Sequence, residues 1–166
     1  MNTDIEKIVS DIVREIKAQS VTISNKEKID FISLENAKFL AAKVEEKAKE
    51  LGVKAVVAIA DEGGNLKLCE CMDNSYLASR DIAINKAYTC VALKMSTKEL
   101  AKLAAPEGSL YGIQFTNNNR IVIFGGGDTL EINGKIVGGI GVSGGSAEDD
   151  TALSAFGKKI FEEYFN

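Results

Sequence analysis

Two tight-turn signals constrain this chain more than any other feature. Asp61-Glu62-Gly63-Gly64-Asn65 separates VKAVVAIA (53–60) from LKLCECM (66–72), and Asn133-Gly134 separates TLEI (129–132) from KIVGGIGVSG (135–144). Such residues between strand-length apolar runs specify β-hairpins, and a hairpin demands antiparallel pairing. RIVIF at 120–124 reads as a further strand, which brings the sheet to about five. Amphipathic segments bracket the strands. One helix opens at Ser33 as N-cap, presents Leu34, Ala37, Leu40, Ala41, Val44, Ala48 and Leu51, and stops at Gly52. A second, unusually apolar helix covers 75–94. Thr97 caps a short helix that ends before Pro106, and EGSLYGIQFTNNN (107–119) is a loop with room for a short strand. Ser146 with Asp149 starts a terminal helix that buries Leu153, Phe156, Ile160, Phe161 and Tyr164. The order predicts an α+β domain of layered α/β/α type, a mostly antiparallel sheet flanked by helices.

The first 19 residues stand apart. Ile5, Ile8, Val9, Ile12, Val13 and Ile16 form one helical stripe, with Thr3 and Glu6 as a capping box. A helix of about four turns is marginal alone in water, so the stripe needs a partner surface. Residues 20–32 carry no sustained helical period and read as a linker, with a short extended piece at Val21 to Ile23. The domain proper is then 33–166. A length of 166 residues fits one domain with such an appendage.

Composition removes several function classes. A net charge of −4 with no Lys/Arg-rich run gives no footprint for nucleic acid. No apolar stretch reaches the roughly 18 residues of a membrane helix, and no secretory h-region is present. Three cysteines indicate a reducing cytoplasm rather than a disulfide scaffold. The chain has no histidine, which removes Ser-His-Asp and Cys-His catalysis, histidine-containing zinc sites and histidine-ligated haem.

Several residues carry candidate chemistry. Gly139 to Gly144 spell G-x-G-x-x-G, but a dinucleotide fold needs a further parallel strand and an acidic residue, and only one helix follows. Ser143, Gly144, Gly145 and Ser146 place free N–H groups at a helix start, either an anion site or merely a tight strand-to-helix turn. Gly125, Gly126 and Gly127 permit close approach by a ligand or subunit, or else a bulge and corner. Lys86 shares a helix face with Ser79, Ile82, Thr89 and Leu93, so its ammonium needs Asp149 or Asp150, an anionic ligand, or water. Cys69 and Cys71 share a strand face and cannot form an ordinary disulfide; with Cys90 they read as small buried hydrophobes rather than metal or haem ligands. Tyr111, Asn117 and Arg120 are of types that line polar pockets.

Five blocks carry a family resemblance: Ser33-Leu34-Glu35-Asn36-Ala37, VVAIADEGGNL, SRDIAINKAYTC, LYGIQFTNNNRIVIFGGG and GGIGVSGGSAEDD. Their order and spacing over about 33–160 resemble the GlcG/HbpS/PduO C-terminal family. That resemblance implies a profilin-like fold, a five-stranded antiparallel sheet between helices. It implies homo-oligomers, and haem binding or a link to corrinoid use. The family positions it points to are Lys86, Thr89, Tyr111, Gly112, Gly125 to Gly127, Ser143 to Gly145 and Asp150. Two departures stand out: Asp128-Thr129-Leu130 replaces a segment that usually holds proline, and no histidine is available for iron. Full-length PduO-type proteins carry a separate adenosyltransferase domain, and nothing in residues 1–33 supplies one. MNTDIEKIVSDIVREIKAQ resembles the encapsulation peptides of bacterial microcompartment cargo, with an oligomer interface as the competing role. Two functions follow as expectations. The first is a non-catalytic accessory protein for haem, a corrinoid or a related ligand, cytoplasmic and carried into a microcompartment for diol or amine use by a shell protein that binds residues 1–19. The second is a small enzyme for an anionic metabolite or corrinoid metabolism, using Lys86, the glycine loops and Asp150.

Overall fold

The computed structural model describes residues 31–165. The helix expected over 1–19 and the linker up to residue 30 lie outside the described residues. Four strands form one sheet: β1 (Val56–Asp61), β2 (Leu66–Cys71), β3 (Gly127–Ile132) and β4 (Lys135–Ser143). Their order is β2-β1-β4-β3, and every neighbouring pair is antiparallel. Both hairpins form where the turn residues demand them. Asp61 accepts the N–H groups of Gly63 and Asn65 in the first, and Asn133 and Gly134 take φ of 51° and 75° in the second.

Helices cover both faces. α1 (Leu34–Glu50) and α4 (Ala147–Phe165) pack Ala37, Leu40, Val44, Leu153 and Phe161 against Val57, Ile59, Leu130, Ile140 and Val142. α2 (Ser79–Leu93) lies on the other face, against Val56, Ala58 and Ala60. It approaches the sheet so closely that a Cβ at Gly141 would strike the Ala83 carbonyl, and one at Gly139 would lie 2.6 Å from the Ala87 carbonyl oxygen. The G-x-G-x-x-G run therefore begins as a helix-packing surface, in keeping with the absence of a dinucleotide fold. α3 (Thr97–Leu103) follows α2.

Four expectations need correction. Residues 120–124 form no strand; the Val122 N–H is taken by the Thr89 hydroxyl of α2 at 3.0 Å, so it is not available to a ladder. The sheet thus has four strands among the described residues, not five. α2 starts at Ser79 rather than 75, after Asn74 turns the chain at φ 65°. The cap of α3 is Ser96, in a reciprocal capping box with Glu99; Thr97 is buried inside the helix and accepts the Gly127 N–H at 2.9 Å. The loop after α3 holds two 3-10 turns, Ile113–Phe115 and Asn117–Asn119, and no strand. Exposure departs from expectation at Leu34, Leu51 and Tyr164, which are exposed, and at Cys71, which is exposed on edge strand β2.

Candidate functional site

Lys86 is where the sheet, α2 and α4 meet. Its side chain is wholly buried, and its ammonium donates to Asp150 Oδ2 at 2.8 Å and to the Val142 carbonyl at 2.7 Å. The Phe124 ring lies above the same nitrogen, 4.9 Å to its centroid. Burial pulls the Lys86 ammonium below the usual lysine range, against the Asp150 hydrogen bond and charge that hold it up. Of the two candidate acids, Asp150 is therefore the partner, and it is itself nearly sealed. Gly126 makes room for the pair. Its φ is 112°, and a Cβ there would lie 2.6 Å from Lys86 Nζ and 2.7 Å from Asp150 Cβ. Gly125 and Gly127 are crowded likewise, by Thr151 and by Cys90. The close approach that the glycine triplet permits is by the chain itself.

The start of α4 is closed as an anion site. The Gly145 N–H donates to Asp150 Oδ1 at 3.0 Å, and the Ser146 N–H to Asp149 Oδ2 at 3.1 Å. These amides are not free; the chain's own carboxylates occupy the positive end of the helix. One Asp150 carboxylate thus joins Lys86 to the Gly145 amide, so the two groups do converge, but on an internal partner.

Beside this pair opens a cleft of about 280 Å³, lined in part by Tyr76, Ser79, Ile82, Phe124, Ser143 and Asp150. Ser143 and Ser79 hydrogen-bond through their hydroxyls at 3.1 Å. Gly144 and Gly145 form part of the wall. Tyr76 is 73% exposed and Phe124 43%, so the rim is aromatic and open to solvent. Sequence reasoning missed both. Phe124 was assigned to a strand, and Tyr76 to the first turn of a helix; an aromatic residue immediately before a glycine triplet was the one available signal.

The remaining candidates lie elsewhere. Thr89 is buried and holds the 120–122 segment, donating to the Asn85 carbonyl at 2.7 Å. Arg120 stacks on the Tyr88 ring at 3.7 Å and reaches Asn85 Oδ1, while Asn117 donates to the Tyr88 hydroxyl. Tyr111 is exposed on the loop, after α3. None of these lines the cleft. Burial and the Cys71 neighbour raise the Cys69 thiol to about 11, and burial pushes Cys90 higher still. No group of three or more His, Cys, Asp or Glu among the described residues is placed to hold a metal ion. No helix among them is long and apolar enough to cross a membrane.

The family model described as "Haem degrading protein HbpS-like" matches residues 32–157. The chain belongs to the HbpS-like family. A 15.0 kDa uncharacterised protein from the dhaT-dhaS intergenic region of Citrobacter freundii is 43% identical over 141 residues, spanning 85% of this chain and 99% of that one. The corrinoid adenosyltransferase PduO of Salmonella typhimurium is 38% identical over 109 residues, 66% of this chain but only 32% of PduO. The crystal structure of a PduOC–haem complex aligns with a TM-score of 0.75 at 34% identity, covering 78% of this chain and 94% of that one. Within this HbpS-like chain, the positions implied by the family therefore divide. Lys86, Gly126 and Asp150 meet beneath the cleft, and Ser143, Gly144 and Gly145 form part of its wall, whereas Thr89 holds the 120–122 segment and Tyr111 stands on the loop after α3.

Proposed function

We propose that this HbpS-like chain is a non-catalytic accessory protein that binds haem at the cleft and works as a homo-oligomer. The observation that carries the reading is the PduOC–haem structure, a relative of the same fold at 34% identity. The rim offers apolar surface for one edge of a planar tetrapyrrole. The cleft offers an aromatic and aliphatic rim in Tyr76, Phe124 and Ile82, with two serine hydroxyls deeper in, the mix expected where an apolar ligand is oriented by few polar groups. Bound haem supplies a redox-active iron; the chain supplies apolar contact, a hydroxyl pair and a charge-neutral floor. A corrinoid is a second planar ligand for the same rim, supported by the match to PduO.

An enzyme acting on an anionic metabolite through Lys86 is disfavoured. Lys86 is sealed and paired with Asp150, and the Gly145 and Ser146 amides are already bonded. We assign residues 1–19 to docking on a microcompartment shell protein in the cytoplasm. Their apolar stripe, the start of the family match at residue 32 and the kinship with PduO support this role. Native mass spectrometry of freshly purified protein tests the ligand and the subunit number together: an oligomer retaining a tetrapyrrole is expected, and a ligand-free monomer that takes up no added haem refutes the reading. Deleting residues 1–24 should leave melting temperature and oligomer size unchanged while abolishing shell binding; a large loss of either property would instead place the helix on the domain.

A further inference from the structure

Core packing does not account for Cys69 and Cys71. Both lie on edge strand β2, where Cys69 stands opposite Ala58 and Cys71 opposite Val56 of β1. Residues i and i+2 of a strand point to one face, so both thiols are on the α2 side. Cys69 packs half-buried on the cluster of Val56, Ala58, Ala83 and Ala87, as Ile84 does, while Cys71 is exposed. Two residues of strand rise set their Cα atoms roughly 6.6 Å apart with parallel Cβ vectors, which does not suit a disulfide. Yet the two thiols hydrogen-bond to each other, so both side chains lean inward and the sulfurs converge. Neither residue lines the cleft.

We propose that Cys69 and Cys71 form a binding site for one monovalent copper ion, held two-coordinate between their sulfurs. A thiolate–metal bond is about 2.3 Å long, so two of them can join sulfurs up to about 4.6 Å apart, within which a thiol–thiol contact falls. Soft thiolates select monovalent copper, whereas a structural zinc ion takes four ligands. No group of three or more His, Cys, Asp or Glu among the described residues is placed for such a divalent ion. Met72, next on the chain, packs toward the opposite face, where its Sδ accepts the Ala55 N–H at 3.3 Å. Uptake is an exchange: both S–H groups give their protons to solvent, two S–Cu bonds form, no electron moves, and copper stays monovalent. Burial and the Cys71 neighbour hold the Cys69 proton on; the Arg80 guanidinium of α2 favours the thiolate, with Asp81 opposing it less strongly. Arg80 thus offsets the single negative charge of the complex. Exposed Cys71 gives the ion its way in.

The test is anaerobic transfer of monovalent copper to the full chain from the coloured chelator bathocuproine disulfonate. Wild type, Cys69→Ser, Cys71→Ser and Cys90→Ser are compared. Wild type and Cys90→Ser should each take one copper ion per chain, with two sulfur neighbours by copper X-ray absorption. Cys69→Ser and Cys71→Ser should each bind at least about a hundredfold more weakly, more than the loss of a ligand's hydrogen-bonded neighbour costs. Wild-type affinity should rise with pH more steeply than that of either variant, because two protons leave rather than one. Circular dichroism checks the fold; Cys71 is exposed, so Cys71→Ser carries the test even if Cys69→Ser unfolds. Unchanged affinity in Cys71→Ser, an equal loss in Cys90→Ser, more than two sulfur neighbours, or no copper taken up by wild type would each overturn the proposal.

Discussion

At the floor of the cleft, Lys86 and Asp150 are sealed from water and meet at 2.8 Å, with every contact supplied by the chain itself. At its rim, Tyr76 and Phe124 present aromatic surface to solvent. Floor and rim share one cavity wall yet divide the work. Charge is spent on tying α2, β4 and α4 together, and apolar surface is left for a ligand. The charged and glycine-rich positions that draw the eye in the sequence are thus the ones most committed to the fold.

Breaking the floor should cost the most. Asp150→Ala leaves a buried ammonium without its carboxylate and frees the Gly145 amide, so chemical unfolding should show a loss of about 3–5 kcal/mol. Gly126→Ala comes next. It forces a side chain into φ 112° and onto the ion pair, and about 2–4 kcal/mol should be lost from strain and overpacking together. Replacing both partners, Lys86→Met/Asp150→Leu, should be far milder, within about 1 kcal/mol of wild type, because apolar side chains of similar volume leave no uncompensated buried charge. A double variant as unstable as Asp150→Ala would show that the pair is a net source of stability.

Asp128, away from the cleft, sharpens the contrast with a smaller effect. Burial raises its carboxyl above the ordinary aspartate value of 3.8, opposed by the Ser154 hydroxyl that donates to it at 2.7 Å. The folded state therefore binds this proton more readily than the unfolded chain. Stability from this group is gained as pH falls through the raised value toward 3.8, and is lost as pH rises above it. Asp128→Asn should remove that component, so the wild-type and variant stability curves should converge in acid and separate slightly, in the variant's favour, at neutral pH.

Much of this fold is legible from the chain. Asn133-Gly134 and Asp61 to Asn65 specify their hairpins through local backbone chemistry, and Ser33, Ser146 and Gly52 mark helix ends for the same reason. Asp150 was legible as a partner for Lys86 because a cation on an apolar helix must find an acid. Residues 120–124 were not legible, because RIVIF has the composition of a strand while its Val122 N–H is captured by Thr89, 33 residues earlier in the chain. The anion site was misread for a similar reason. Free amides at a helix start are a local expectation, and whether Asp149 and Asp150 fold back onto them is decided by side-chain geometry in the first turn. The rim is a tertiary product. Tyr76 and Phe124 lie far apart in sequence and meet only when α2 and the glycine corner close around Lys86.

The division between floor and rim is tested most directly by Tyr76→Ala, measured in two ways on one preparation: the denaturant midpoint of the ligand-free protein and the affinity for added ferric haem. Removing an exposed side chain should leave stability within about 0.5 kcal/mol of wild type, while haem binding should weaken at least tenfold. Undiminished haem affinity, or a stability loss on the scale of Asp150→Ala, would contradict the account.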